Sequence, residues 1–187
     1  MARWTSILKV VLTLLLLVCM LPPVSAMAQE WYRLSSTEGA FTAYFPAQPE
    51  YMPTLDKNGS HPLWVLELPP SKFQVSYSEL LPGEVAKYGA EELLNGLAHA
   101  SMVAFLMERL GTRRMSYGGY PAIEMLIRQG NDAFGFAQRL GIPESIMVQR
   151  HMLVGSRYYL WIYEGPPGAQ DGADAKRFLD SLVVERR

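Results

Sequence analysis

The sequence predicts an α+β fold, an antiparallel β-sheet covered by helices as an α/β/α sandwich, and three observations predict it. Two stretches alternate apolar and polar residues with the period of a half-buried strand. Three two-residue turn signals fold strands back on their neighbours, and two further stretches carry apolar residues at helical spacing.

In chain order, Phe41, Ala43 and Phe45 alternate with Thr42 and Tyr44 until Pro46 stops the run. Asn58-Gly59, where both residues tolerate a positive φ, predicts a hairpin joining a strand near 51–56 to one near 61–68, with His61 opposite Asp56. Phe73, Val75 and Tyr77 alternate with Gln74, Ser76 and Ser78 as the next strand. Ala90, Leu93, Leu94, Leu97, Ser101, Ala104 and Phe105 recur at three- and four-residue spacing, with Glu91 and Glu92 early, Arg109 late and Gly111 beyond. This predicts a helix of about five turns whose charges match its dipole and whose stop is a glycine.

Gly118-Gly119 and Gly155-Ser156 predict two more hairpins. Their register sets Arg113 against Glu124, Arg150 against Trp161 and His151 against Leu160. Pro121, one pair from its turn, favours an edge or a strand start. In the last hairpin one face carries Val148, Arg150, Met152, Tyr159, Trp161 and Tyr163, and the other Met147, His151, Leu153, Tyr158, Leu160 and Ile162. A sheet so apolar on both sides needs cover on both sides. The second cover is a final helix from about Asp171, with Asp174 in its first turn and Ala175, Phe178, Leu179 and Leu182 as its apolar stripe.

The chain has 187 residues, 49% hydrophobic and 19% charged, with one cysteine, which excludes a disordered tail, a collagen-like fibre and a disulfide-stapled miniprotein. Seventeen Lys+Arg against 18 Asp+Glu leave no field that would draw a nucleic acid. Residues 1–28 read as a signal peptide: Arg3 and Lys9 precede a twelve-residue apolar run, Val10 to Leu21, and then Ala26-Met27-Ala28 offers a small-x-small cleavage site before Gln29. The run is short of the roughly 20 residues that a spanning helix needs. The competing reading keeps residues 6–24 as an uncleaved anchor. Cys19 follows Val18 where a lipoprotein signal wants a small residue, so no lipid attachment is expected, and the mature chain contains no cysteine for disulfides, thiolate metal sites or thiol nucleophiles. No linker or repeat divides residues 29–187, which read as a single globular domain.

The segment Phe41-Thr42-Ala43-Tyr44-Phe45-Pro46-Ala47-Gln48-Pro49, the strand around Tyr77, the long central helix, and Tyr158 to Tyr163 followed by Lys176-Arg177-Phe178-Leu179-Asp180-Ser181 carry a resemblance. In order, over most of residues 31–184, they resemble the small exported α/β/α domains related to PsbP, the extrinsic photosystem subunit, and to the Ran-binding Mog proteins. The resemblance implies a sandwich fold and a binding or assembly role, and it brings no catalytic motif to carry over.

The residues themselves offer little chemistry. Gly-x-Ser-x-Gly, His-Glu-x-x-His, a phosphate-cradling loop before Lys-Ser/Thr and Gly-x-Gly-x-x-Gly are all absent. The three histidines are scattered, so neither a metal site nor a cofactor is expected. His61 flanks a turn and His99 shares a polar helix face. His151 stands mid-strand among apolar neighbours as a hydrogen-bonded core residue, or as the base of an enzyme. Asp56 to Glu67 imitates a calcium loop but lacks glycine at the sixth place, and is read as the hairpin.

Two features read as partner-binding. Arg150 and Trp161, flanked by Tyr159 and Tyr163, form an aromatic strip unless the second helix covers it. Phe134 and Phe136, in the glycine-containing insertion 130–144, are either a mobile anchor or a short helix folded onto the core. The expected function is an exported, non-catalytic binding or assembly module of the cell envelope, in the periplasm or outside the cell, with an envelope protein as partner. The alternative is a small-ligand carrier with a pocket between sheet and helix lined by Met102, Phe105, Met125 and Met147. An intact mass of the exported protein should begin at Gln29; a mass that retains residues 1–28 defeats the export reading.

Overall fold

The computed structural model describes residues 30–56, 59–81, 83–103, 107–129 and 143–185. The signal sequence, Phe105, Phe134 and Phe136 lie outside the described residues. The centre is a seven-stranded antiparallel sheet, in the order β3 (Glu50–Tyr51), β6 (Leu63–Leu68), β7 (Ser71–Glu79), β11 (Arg157–Gly165), β10 (Ser145–Val154), β9 (Tyr120–Gln129) and β8 (Met107–Tyr117). Arg113 meets Glu124, Arg150 meets Trp161 and His151 meets Leu160, as the turn arithmetic predicts. Gly118 and Gly119 both take positive φ, 58° and 88°, which supports a two-residue turn whose twist matches that of its strands. Pro121 sits just past Ala122, the last β9 residue paired with β10, so its missing N–H costs that ladder nothing.

Both faces carry cover, one of them only in part. On one face lie the helix α3 (Ala173–Leu179), entered through a 3₁₀ turn at Ala169–Asp171, and a three-stranded sheet in the order β1 (Tyr32–Ser36), β2 (Phe41–Phe45), β12 (Val183–Val184). Ala175, Phe178 and Leu179 are buried there as the stripe predicts, and Leu182 is buried too but lies beyond the helix end, with Phe41, Phe45, Phe73, Val148, Met152, Tyr159, Trp161 and Tyr163 around them. Phe178 makes edge-to-face contacts with Phe45 and Phe73 at centroid distances of 5.1 and 5.2 Å, the arrangement that aromatic quadrupoles favour. On the other face α1 (Glu84–Tyr88) leads into α2 (Ala90–Val103), whose Leu94 and Ala98, one turn apart, pack on Ile123, Met125, Ile127, Met147 and Leu153.

Three expectations are corrected. The central helix ends by Val103, and Arg109 and Gly111, expected at its C-terminus, belong to β8. This edge strand shows only every fourth residue half-buried in its first half, so its sequence carries no alternation and imitates helical spacing. Gly111 is no helix stop but one side of a β-bulge: Arg109 pairs with Ile127 and Gly111 with Leu126, leaving Leu110 as the extra residue. The Asn58-Gly59 hairpin forms one step earlier, with β4 (Thr54–Asp56) and β5 (Gly59–His61) closing on the pair Asp56 and Gly59, so His61 faces Thr54 rather than Asp56. The outer strands β1 and β12 and the helix α1 were not anticipated.

The β1–β2 connection is tightly packed. A Cβ on Gly39 would stand 2.6 Å from the ring of Phe41, which is fully buried, and 2.8 Å from Ser36 Oγ, which accepts the Gly39 N–H at 3.0 Å. Gly39→Ala should therefore cost about 2 kcal/mol in urea unfolding, within the range for overpacking a filled site; an unchanged midpoint contradicts this packing.

Candidate functional site

The predicted aromatic strip is built as expected in register and is covered. Arg150, Tyr159 and Trp161 are 7%, 1% and 0% exposed beneath α3 and the small sheet, so they present no open surface, and the expectation of an accessible strip is corrected. The backbone carbonyl of Leu179, in the last turn of α3, accepts hydrogen bonds from Arg150 Nη1 at 2.6 Å, Trp161 Nε1 at 2.9 Å and the Tyr117 hydroxyl at 3.4 Å. Arg150 also donates from Nε to Glu124 Oε2 at 2.7 Å and from Nη1 to Asp180 Oδ1 at 2.8 Å. Burial alone would lower the arginine's pKa, but the hydrogen bonds to Asp180 and Glu124 outweigh it and hold it above its ordinary value. The guanidinium stands over the ring of Tyr117, 5.6 Å from its centroid, and burial pushes that phenol's pKa up to about 12. Tyr159 donates to the carbonyl of Gly39 at 2.7 Å, tying the sheet to the β1–β2 turn.

The opposite face holds a buried histidine. His151 is completely buried, its Nδ1 lies 2.6 Å from the Tyr158 hydroxyl, and its Nε2 has no hydrogen-bond partner among the described residues. The core reading of this histidine therefore holds for one ring nitrogen of two. Burial lowers its pKa to about 4 and raises that of Tyr158, so both are uncharged at neutral pH.

Tyr158 leads to a site that sequence reasoning did not single out. Helix α2 covers the half of this face formed by β8, β9 and β10; over β6, β7 and β11 a cleft of about 560 Å³ remains open. Its floor is Leu63, Gln74, Ser76, Ser78, Leu160 and Ile162, one wall is the α1–α2 side with Glu84 and Leu97, and Thr54 and His61 of the β4–β5 hairpin stand at the opposite side. Within the alternating strand β7, Phe73, Val75 and Tyr77 enter the core beneath α3, which forces Gln74, Ser76 and Ser78 into the cleft. The sequence signal was that same alternation, read only as a wetted face. Ser76 Oγ donates to the Leu160 carbonyl at 3.3 Å, whereas the side chains of Gln74 and Ser78 have no hydrogen-bond partner among the described residues.

The pocket between sheet and helix thus exists, but Met125 and Met147 do not line it: they are 2% and 6% exposed and fill the core under α2. Of the other proposed lining residues, the Met102 side chain and Phe105 lie outside the described residues, as does the Phe134/Phe136 segment. His99 lies on the exposed side of α2 as expected. Among the described residues no three His, Cys, Asp or Glu side chains gather in a metal-holding arrangement, and no helix is long and apolar enough to cross a membrane.

No protein-family profile matches the chain, and no curated protein matches it significantly in sequence. Solved structures do. Cyanobacterial PsbP (CyanoP) from Synechocystis sp. PCC 6803 superposes with a TM-score of 0.54 at 10% identity, covering 89% of this chain and 99% of its own. The Ran-binding protein Mog1p of Saccharomyces cerevisiae follows with a TM-score of 0.46 at 9% identity, over 84% of this chain and 96% of its own. LpqN of Mycobacterium tuberculosis, involved in cell envelope biogenesis, gives 0.38 at 10% identity, over 83% and 79%. The fold is therefore that of the PsbP-like sandwich, and the likeness to CyanoP carries this statement; at such identity it speaks of fold alone.

The buried imidazole generates a pH signature. Between its ordinary pKa of 6.5 and the folded value near 4, the unfolded chain binds a proton that the folded chain excludes, so its share of stability is complete above pH 6.5 and is lost as the pH falls toward 4. The share is roughly 3 kcal/mol. His151→Gln should remove it, so that urea unfolding at pH 7, 5.5 and 4 shows the gap between wild type and variant changing in the variant's favour on acidification. Parallel curves for the two proteins rule out a buried neutral imidazole.

Proposed function

We propose that this chain is an exported, non-catalytic binding module of the cell envelope and that its ligand sits in the cleft over β6, β7 and β11. The observation that carries the reading is a cavity of about 560 Å³ whose floor presents Gln74 and Ser78, side chains with no hydrogen-bond partner among the described residues. Side chains on a folded surface ordinarily bond to backbone or to water. Groups left unpaired in a cavity of ligand size, between apolar walls, have the composition of a binding site.

The non-catalytic part rests on the way the reactive groups are spent. Arg150 is bound up in the support of α3, and His151 is sealed beneath the sheet face with only a tyrosine as partner. A general base needs reach to a proton in a substrate, and His151, with no exposed surface, has none in this conformation. The export part rests on the leader sequence Met1 to Ala28. Within the same proposal Phe134 and Phe136 are a contact for an envelope protein.

Placing a photo-crosslinking amino acid at Leu97, on the cleft wall, and at Tyr32, on the small sheet, tests the reading in the native compartment. The expectation is an adduct from position 97 and none from position 32. Equal adducts from both positions, or none from either, reject the cleft as the working surface.

A further inference from the structure

We infer that the cleft selects an elongated amphiphile with a cationic, hydrogen-bond-donating head; the inference rests on the reading of the cleft as the binding site. Charge supplies the first argument. Among the described residues the lining contains two carboxylates, Glu79 and Glu84, and neither lysine nor arginine. Glu79 is neutralised by its close ion pair with Arg157, whereas Glu84 accepts the backbone N–H of Leu81 at 3.0 Å and has no cationic partner among the described residues. A half-buried carboxylate without a counter-ion repels anions and favours a cation, by more than it would in open water because the walls beside it are apolar.

Shape and hydrogen bonding supply the second. Gln74, Ser76 and Ser78 lie in a row along β7, and the outer two are about 13 Å apart at the rise of a strand. Ser76 spends its proton on the Leu160 carbonyl and so presents lone pairs to the cleft. Ser78 and Gln74 can each accept as well as donate. A primary ammonium, with three donors and no acceptor, suits Glu84 together with an acceptor near it, and leaves the rest of the row to polar groups along the ligand. Leu63, Leu97, Leu160 and Ile162 supply an apolar track beside the row, and burying methylenes there contributes affinity without a polar penalty. Tyr158, at the inner wall, is held by its hydrogen bond to His151, so this side of the track is fixed before a ligand arrives.

The test uses the mature protein, isotopically labelled, titrated below micelle formation with two probes of equal chain length, dodecylamine at neutral pH and dodecanoate. Dodecylamine should shift the backbone resonances of residues 74–78 and 160–162 and bind at least about tenfold tighter than dodecanoate, a difference expected of a desolvated charge pair against a like-charge contact. Glu84→Gln should weaken dodecylamine by about three- to tenfold while leaving the spectrum of the free protein otherwise unchanged. Ser78→Leu and Gln74→Leu, each filling the floor, should weaken both probes, and two variants guard against one that fails to fold. Dodecanoate binding as tightly as dodecylamine, no response to Glu84→Gln, or shifts confined to residues outside the cleft each overturn the inference. If position 97 still cross-links a native ligand in such a case, the binding-module reading stands and only the ligand class falls; if position 97 captures nothing either, both fall.

Discussion

The carbonyl oxygen of Leu179 is the point on which one whole layer of this protein hangs. Helix α3 has seven residues, far below the length at which a helix holds together in water, so it exists only because its surroundings hold it. Trp161, Arg150 and Tyr117, from three strands of the sheet, converge on that carbonyl, and the guanidinium adds a positive charge at the negative end of the helix, where charges are worth about 0.3–2 kcal/mol. Glu124 on β9 shares its two oxygens between Arg113 and Arg150, while Asp180 closes the other side, so the buried cation is fully paired. Once α3 is set, Phe178 fixes β2 through Phe45, Ser181 accepts the backbone N–H of Tyr44 at 2.9 Å, and Val183 pairs with Thr42. The small sheet therefore depends on the helix, and the helix on one arginine.

The other face is organised by different means. Helix α2 is longer and is seated by apolar contacts and by a part-buried polar tie: Ser101 donates at 3.0 Å to Gln149, which is itself 3% exposed. It covers only part of the sheet, and the rest of the face is left to short side chains. Filling and leaving open are thus set strand by strand. Isoleucine and methionine from β9 and β10 meet the helix, while glutamine and serine from β7 meet the cleft. Because β7 is alternately buried on the far side, the cleft floor is attached to the densest aromatic packing in the molecule, which gives an open site a rigid base.

Much of this was legible from residues alone, for identifiable reasons. Turn chemistry fixed two registers, because a two-residue glycine turn leaves no freedom in which residues oppose one another, and the doubly apolar β10–β11 hairpin demanded layers on both sides. What stayed hidden was long-range. Nothing in Leu179 announces that its backbone would attract an arginine from 29 residues earlier, and Arg150 with its aromatic neighbours reads equally as a surface strip. The helix was overextended because β8, exposed along most of its length, has no buried column to impose a period of two. The cleft was missed because hydroxyls between buried aromatics look the same in sequence whether they face bulk water or a cavity.

The bulge at Leu110 governs how this molecule meets its own kind. At the free margin of the seven-stranded sheet it throws the hydrogen-bonding groups of β8 out of step, and Arg109, Arg113 and Arg114 stand along the same margin. A second copy laid antiparallel against it would meet a broken ladder and a row of long charged side chains, which is how natural sheet edges are blunted. A border of this kind resists the stacking of one copy's sheet on another's.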